Sequence, residues 1–574
     1  MRSLRAVKVF ALTLMVVLIL GTVGVNAQRI PREETLYIAG QQWGPPTSFN
    51  PFGKGAIAWP VANNSLYVYE TLYAFNLITG EMDPVLAEKY EWIDNDMVMR
   101  LTLHEGTRWQ DGEPLTAEDV EYTLKLGKKY PLNFAPWWNY VLDVRAVDDR
   151  TIDIIIDPEK PHRTLVMQDL GNIYILPKHI WEPIEAAEGT IQDNPNLEPV
   201  GSGPYKLYNY NPQQITIIRD DNYWGAPYFG TPAPKYIAHP IFKSNDAGNL
   251  AFERGQIDMS QQFVPEVWKM WEDKGLPVGT WFKEEPYYMP ASTPSIYLNI
   301  HRPGLDNPLV RRAIAYSIDY AKIAETAMSR YSEPARSSLI IPYGVPEQRY
   351  FNEENVKKYG WEYNPQKAID ILENELGCTK GSDGIYVLPD GTRLGPWKAE
   401  CPYGWTDWMT SLEVVAASAR EVGIDIRTEY PDAPVWTEHH QSGDFDIIMY
   451  TPAGGQGPAL PWSRFREVMD DRDVPPIGQT AYRNFNRYSH PRVPELLDRA
   501  AYTTDEAELK AIYEELDRIY MEDVPLIVLE YRPWEFYEFN ETYWKGFPTA
   551  DNPTAPPQHH RAGVQILYVI EPAK

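Results

Sequence analysis

Between residues 101 and 126 the hydrophobic period of the chain changes from two to three and four. Leu101 and Leu103 alternate with Thr102 and His104, the pattern of a half-buried strand, and Trp109-Gln110-Asp111-Gly112 follows as a tight turn in which Gly can take a positive φ. Ala117, Val120 and Leu124 then recur on one helical face. Thr116 is placed to accept the amide of Asp119, and Glu118 and Asp119 sit near the positive end of the helix dipole. A strand, a turn and a capped helix are predicted.

The same reading covers the rest of the chain. Residues 35–39 predict a first strand that ends at Gln41-Gln42-Trp43, because Pro45 and Pro46 cannot continue a central strand. Residues 68–73 are expected to begin a helix or to leave for a second domain. Alternation over 151–156 predicts another strand. Gly201-Ser202-Gly203-Pro204-Tyr205 permits a bend and close backbone approach, which makes it a candidate crossing between domains. A helix end, a Gly255 cap and a short strand are predicted over 251–259, leaving Gln261 and Gln262 at the strand exit. Prolines at 286, 290 and 294 precede a strand at 295–300, the expected hinge into a third domain. Helices are predicted over 309–326 and 365–376, the second with Ala368, Leu372 and Leu376 on one face. A helix, the Gly423 cap and a strand follow over 411–430, then a helix at 507–521 and a buried strand at 525–529. This alternation argues for an α/β protein.

The run Leu86-Ala87-Glu88-Lys89-Tyr90-Glu91-Trp92, followed by LTLHEGTRWQDGEPLTAEDV at 101–120, resembles the N-terminal signature of the family 5 extracellular solute-binding proteins of ABC transporters. These are large receptors for peptides, nickel and oligosaccharides. Further blocks keep the family's order: 201–205, Tyr223-Trp224, Leu298-Asn299, 310–319, Gly423-Ile424-Asp425 and Gly443-Asp444-Phe445-Asp446. The resemblance implies a two-lobed periplasmic-binding-protein fold, type II-like with an extra domain, whose ligand cleft lies between lobes joined by hinge strands. Domain I would comprise 28–65, 197–284 and 531–574, domain II 66–196 and domain III 285–530.

At 574 residues the chain is too long for one core, which agrees with two or three domains. Its formal charge of −27 disfavours nucleic acid or an anionic membrane surface as partner. Residues 1–27 carry a basic start, an apolar run and Val25-Asn26-Ala27 before Gln28, the arrangement of a cleaved secretory leader, with an uncleaved anchor as the alternative. A periplasmic or extracellular location is expected, and no Cys follows the cleavage site to take a lipid. Cys378 and Cys401 are the two cysteines; export favours a disulfide between them, with two buried thiols as the other possibility.

Catalytic signatures are missing: the chain has no GxxxxGK[ST], HExxH or CxxC. The Gly454-Gly455-Gln456-Gly457 run lacks dinucleotide-binding spacing and reads as a loop. His439-His440 and His559-His560 are adjacent pairs, expected at a solvated surface rather than on a metal. No metal, cofactor or enzymatic activity is expected, although the many carboxylates leave a glycosidase pair open. Aromatic residues are abundant, with 19 Trp and 38 Tyr. Most should fill cores. Trp43, Trp405, Trp408 and Trp436 stand in loop-like surroundings suited to stacking on sugar rings, whereas Trp92, Trp224 and Trp361 read as packing residues.

The resemblance lines the cleft with strand exits of the first and third domains, which gives Gln42, Trp43, Gln261, Gln262, Tyr297, Asn299, Trp405, Trp408, Trp436 and Tyr450 as the expected ligand set. Peptide receptors of the family carry a Trp and then an Asp after the Asp-Phe-Asp-Ile strand, the Asp receiving the ligand's α-amino group. Residues 448–455 hold neither, and a buried unpaired ammonium costs roughly several kcal/mol. With Trp43-Gly44-Pro45-Pro46, this run is similar to the oligosaccharide-binding branch. The expected protein is a monomeric receptor that closes over an oligosaccharide, β-linked gluco- or manno-oligosaccharides being favoured, and delivers it to a membrane permease. An oligopeptide receptor and an extracellular glycoside hydrolase are the alternatives.

Overall fold

The computed structural model describes residues 30–42, 44–53, 58–453 and 457–574; the leader expected over 1–27, Trp43 and most of the 454–457 run lie outside them. The first strand, Thr35–Ala39, sits in the middle of a seven-stranded mixed sheet. It pairs in parallel with Tyr236–Pro240 on one side and with Met259–Ser260 on the other. Gln214–Arg219 and Tyr205–Asn211 extend the sheet beyond the first neighbour, and Glu538–Asn540 and Val278–Thr280 beyond the second. Pieces far apart in sequence therefore meet in one sheet, and both loops after Ala39 and Ser260 leave it at the same end. They are held close: a Cβ added at Gly40, where φ is +88°, would stand 2.6 Å from Gln262 Cγ.

A four-stranded antiparallel sheet lies between the first two pieces of that sheet in sequence, in the order Ala87–Ile93, Val98–Leu103, Thr151–Ile156, Val141–Ala146. The helix Ala117–Lys129 packs on it through Ala117, Val120 and Leu124, all fully buried. Asp119 accepts the N–H of Thr116 at 2.9 Å, closing the predicted cap, and its other oxygen accepts Lys178 N–H. The hydrophobic core under this sheet continues into that of the seven-stranded sheet, so the two make one lobe.

The second lobe has its own core and a five-stranded sheet in the order Ile426–Glu429, Trp397–Glu400, Ile447–Tyr450, Ser295–Leu298, Leu526–Val528. Two expected elements differ. Residues 68–72 are irregular rather than helical and lead into the strand Tyr73–Asn76, because Val68 and Tyr67 give their carbonyls to the N–H groups of Gly203 and Tyr205 instead of to a helix. The helix expected over 309–326 breaks after Pro308–Ser317, where Ile318 is extended and Asp319 starts a new turn by accepting Lys322 N–H.

The two lobes are joined by segments that run side by side. Arg532 and Ser292 exchange backbone hydrogen bonds at 2.9 and 3.1 Å, and the Ser292 hydroxyl donates to the same carbonyl. Tyr288 donates to buried Glu538 at 2.7 Å one step further on. The lobes also touch away from this hinge: the His162 ring stands 4.3 Å from that of Trp462, and Gln168 accepts the N–H of Ala459 at 3.1 Å.

The glycines at 201 and 203 are forced by the first crossing. A Cβ on Gly201 would lie 1.8 Å from the carbonyl oxygen of Val68. Gly201→Ala should therefore destabilise the protein by roughly 1–3 kcal/mol or more through forced displacement of packed backbone, seen as a lower denaturation midpoint; a midpoint equal to that of the wild type would refute the close approach.

Candidate ligand-binding cleft

Gln261 and Gln262 of the first lobe and Trp405 and Trp408 of the second converge on one cavity of about 210 Å³, completed by Asn245, Phe263, Asp407 and Arg532. The glutamines arrive because the strand Met259–Ser260 ends beside Gly40. Gln261 donates to the Gly40 carbonyl, and Gln262 donates to the Asn245 carbonyl at 3.1 Å while its Oε1 has no protein partner. The tryptophans arrive because the helix Thr406–Glu421 begins at the exit of the strand Trp397–Glu400. Trp408 is buried, whereas Trp405 is 40% exposed, and both line the cavity.

Behind them the aromatic wall continues. The Trp405 ring is 4.9 Å from Trp408 and 5.6 Å from Trp436, and Trp436 stacks on Tyr450 at 5.9 Å. Trp436 is fixed by donating its indole N–H to the Met449 carbonyl at 3.2 Å. His440 fills the angle between Trp436 and Tyr450.

Five described residues of the expected set do not line this cavity: Trp436 and Tyr450 stand behind it, and Gln42, Tyr297 and Asn299 are used elsewhere. Gln42 spends its amide on its own loop, accepting Trp59 N–H at 3.0 Å and donating to the Gly44 carbonyl at 2.8 Å. Tyr297 is fully buried in the five-stranded sheet behind Tyr450. Asn299 ties its strand to the 443–445 turn by donating to Gly443 and Phe445. Trp43 is outside the described residues. The packing assignments of Trp224 and Trp361 hold, both being buried.

The cavity's charges pair within the protein. Arg532 Nε lies 3.0 Å from Asp407, with the guanidinium 4.4 Å from the Phe536 ring centre. Asp407 is the one carboxylate among the described lining residues. Sequence reasoning passed over both: Asp407 lies between the two selected tryptophans, and Arg532 stands at the hinge. Deeper, Glu530 accepts the Ser411 hydroxyl at 2.9 Å, and burial, then the charge of Asp407, pushes its carboxyl up to about 8.

The disulfide expected between Cys378 and Cys401 is absent. Cys378 follows a helix end, its N–H on the Leu372 carbonyl, while Cys401 directly follows the strand Trp397–Glu400, and both are free and buried. Burial raises both thiols, so each serves as a small apolar side chain. Of the histidine pairs expected at a solvated surface, His439 keeps a partly exposed ring, while His440 and His559 are buried. His559 and His560 flank buried Glu535, and His439 Nδ1 lies 2.6 Å from Glu400. Burial opposes ionisation of Glu535, but His560 and His559 outweigh it and hold the carboxyl well below its usual range.

The model for bacterial extracellular solute-binding proteins, family 5, matches residues 81–466. The chain is 33% identical to the periplasmic oligopeptide-binding protein of an oligopeptide ABC transporter from Thermotoga maritima, whose crystal structure holds mannohexaose. The two superpose with a TM-score of 0.84 over 95% of this chain and 99% of the other. It is 24% identical over 514 residues to the "Probable peptide-binding protein YejA" of Agrobacterium fabrum, covering 81% of each chain. With the oligopeptide-binding protein OppA of Bacillus subtilis it shares 22% over 473 residues, 78% of this chain and 79% of the other. No helix among the described residues is long and apolar enough to cross a membrane.

Burial raises Glu70, Asp517 and Glu467 to about 7, as well as Glu530 to about 8. Their stabilising contribution is complete below the ordinary carboxylate pKa and is lost as pH rises through 7 to 8. Buried His162 and His239, lowered to about 3, and His440, lowered to about 4, act oppositely, their contribution being complete above about 6.5. The thermal midpoint should therefore fall between pH 6.5 and 8, and Glu530→Gln should flatten that fall. A midpoint that rises across this window, or an unchanged slope in the variant, would contradict the protonated state of Glu530.

Proposed function

The chain belongs to the bacterial extracellular solute-binding proteins, family 5, and is thus the substrate-binding receptor of an ABC importer; we propose that its cargo is an oligosaccharide. The observation that carries this reading is the single cavity in which side-chain amides of Gln261 and Gln262 face the indoles of Trp405 and Trp408. Indole faces stack on the apolar faces of pyranose rings, and amides both donate to and accept from hydroxyls. Asp407 is held by Arg532, which leaves the described lining without a free carboxylate for a peptide's α-ammonium. The mannohexaose bound to the Thermotoga maritima protein supports an oligosaccharide, for which β-linked manno- or gluco-oligosaccharides remain our favoured class. The names of the Agrobacterium and Bacillus relatives favour a peptide instead.

Capture proceeds by closure of the two lobes about the hinge at residues 285–294 and 530–537. The seven-, four- and five-stranded sheets correspond to domains I, II and III with boundaries near 66, 197, 285 and 531. The working receptor is a monomer, exported after loss of residues 1–27, that hands its ligand unaltered to the permease.

Calorimetric titration of the chain from Gln28 with manno- and gluco-oligosaccharides should give saturable one-to-one heat, a mixed peptide pool none, and the sugar should be recovered unhydrolysed. Trp405→Ala should weaken binding about tenfold. Saturation by peptides alone would overturn the assignment.

A further inference from the structure

A cavity of about 200 Å³ lies within the first lobe, and its described lining includes no residue of the second. Its walls come from the 66–85 segment, from Tyr223 and Phe229, and from the C-terminal stretch 562–569; it shares no lining residue with the cleft. We propose that this cavity binds a small apolar molecule that ends in an ammonium group, the ammonium resting on Glu70 and the apolar body filling the remaining space. The site stands apart from the cleft, so the inference does not depend on the cargo proposed above.

Charge selects the ligand's polar end. Glu70 is buried in the cavity wall, where it accepts the Tyr223 hydroxyl at 2.6 Å and the Trp224 indole N–H at 3.0 Å. Both donors are neutral, and the described lining holds no Lys, Arg or His. Burial therefore pushes the Glu70 carboxyl up to about 7 against the pull of its hydrogen bonds. A carboxylate offers roughly four acceptor positions, which leaves about two open to a further donor. An ammonium placed there supplies both the missing countercharge and the N–H groups.

The lining selects the rest of the molecule. Leu66, Ala74, Val85, Phe229, Ala562 and Val564 give the cavity a mainly apolar surface. Its polar groups are gathered around Glu70, since Tyr568 is hydrogen-bonded to Tyr223 and Tyr223 to Glu70. An apolar cavity of about 150 Å³ holds benzene, so this one of about 200 Å³ admits an aromatic ring with a short arm. One charged end on an apolar body matches that distribution.

Two contacts, finally, pin the C-terminal wall in place. Gln565 donates to Asp83 Oδ2 at 2.8 Å, which ties it to the strand Glu81–Pro84, and the Ala233 N–H donates to the Leu567 carbonyl at 2.8 Å. With both made, the segment spans the cavity instead of packing down on Glu70. Protein cores pack to crystal-like density and leave few voids of this size.

The test is a calorimetric titration of the chain from Gln28, at pH 8 where Glu70 is mostly ionised, with phenethylamine as the probe and phenethyl alcohol as its uncharged counterpart. The amine should bind one to one and at least about tenfold tighter than the alcohol. Glu70→Gln should abolish that preference. Val569 is exposed and lines the cavity, so Val569→Trp places a ring in the space and should remove amine binding. Should Glu70→Gln fail to fold, the alcohol and Val569→Trp decide. No saturable heat with the amine, or an alcohol bound as tightly as the amine, would overturn the proposal. Amine binding unchanged in Val569→Trp would put the probe elsewhere and overturn it equally.

Discussion

The backbone pairing of Ser292 with Arg532 is the constraint on which the remaining architecture depends. The five-stranded sheet is closed by Ser295–Leu298 and Leu526–Val528, which lie next to each other, and the chain enters and leaves that lobe immediately beside them. Two adjacent, hydrogen-bonded strands permit bending about their common line and resist shear, the geometry expected of a hinge. Arg532 extends the constraint into the cleft, because its backbone belongs to the hinge while its guanidinium holds Asp407 in the first turn of the helix that carries Trp408. The hinge backbone and the tryptophan wall are in this way tied together by one ion pair.

Around that line the protein buries three carboxyl groups, Glu530, Glu535 and Glu538. Glu530 and Glu538 are both pushed up by burial and held by Ser411 and Tyr288, while Glu535 is ionised between two histidines. Unpaired burial of any of them would be costly, so each fixes the partner it requires. The first crossing is fixed differently, by glycines at 201 and 203 that let two backbones touch.

Much of this was legible in the sequence where one physical rule dominates. The strand Thr35–Ala39 follows from apolar residues ahead of two prolines, the 101–126 motif from a change of period and a cap, and the crossing at 201–205 from glycine's missing Cβ. Gln261 and Gln262 follow a strand of the first lobe's sheet and Trp405 and Trp408 a strand of the second lobe's, and the two exits face one another across the cleft. What failed needed facts about the other side of a contact. The alternation of 295–300 cannot say which face of the strand meets the cleft, and Tyr297 points into the core. Gln42 is held in its own loop by the Trp59 N–H and the Gly44 carbonyl, contacts that no local pattern announces. The histidine pairs looked solvated because Glu535 and Glu400, their partners, are 24 and 39 residues away. Asp407 and Arg532 escaped notice because an ion pair spanning 125 positions leaves no local trace.

Family membership accounts for the receptor, and the chemistry of the cavity supports the proposed class of cargo. The central claim is that a sugar chain draws the two lobes together about the 292–532 hinge, and small-angle X-ray scattering of the chain from Gln28, with and without saturating mannohexaose, addresses it most directly. The account predicts a more extended ligand-free particle and, on saturation, a smaller radius of gyration that matches the lobe arrangement with His162 against Trp462. Calorimetrically saturated protein with unchanged scattering would contradict it.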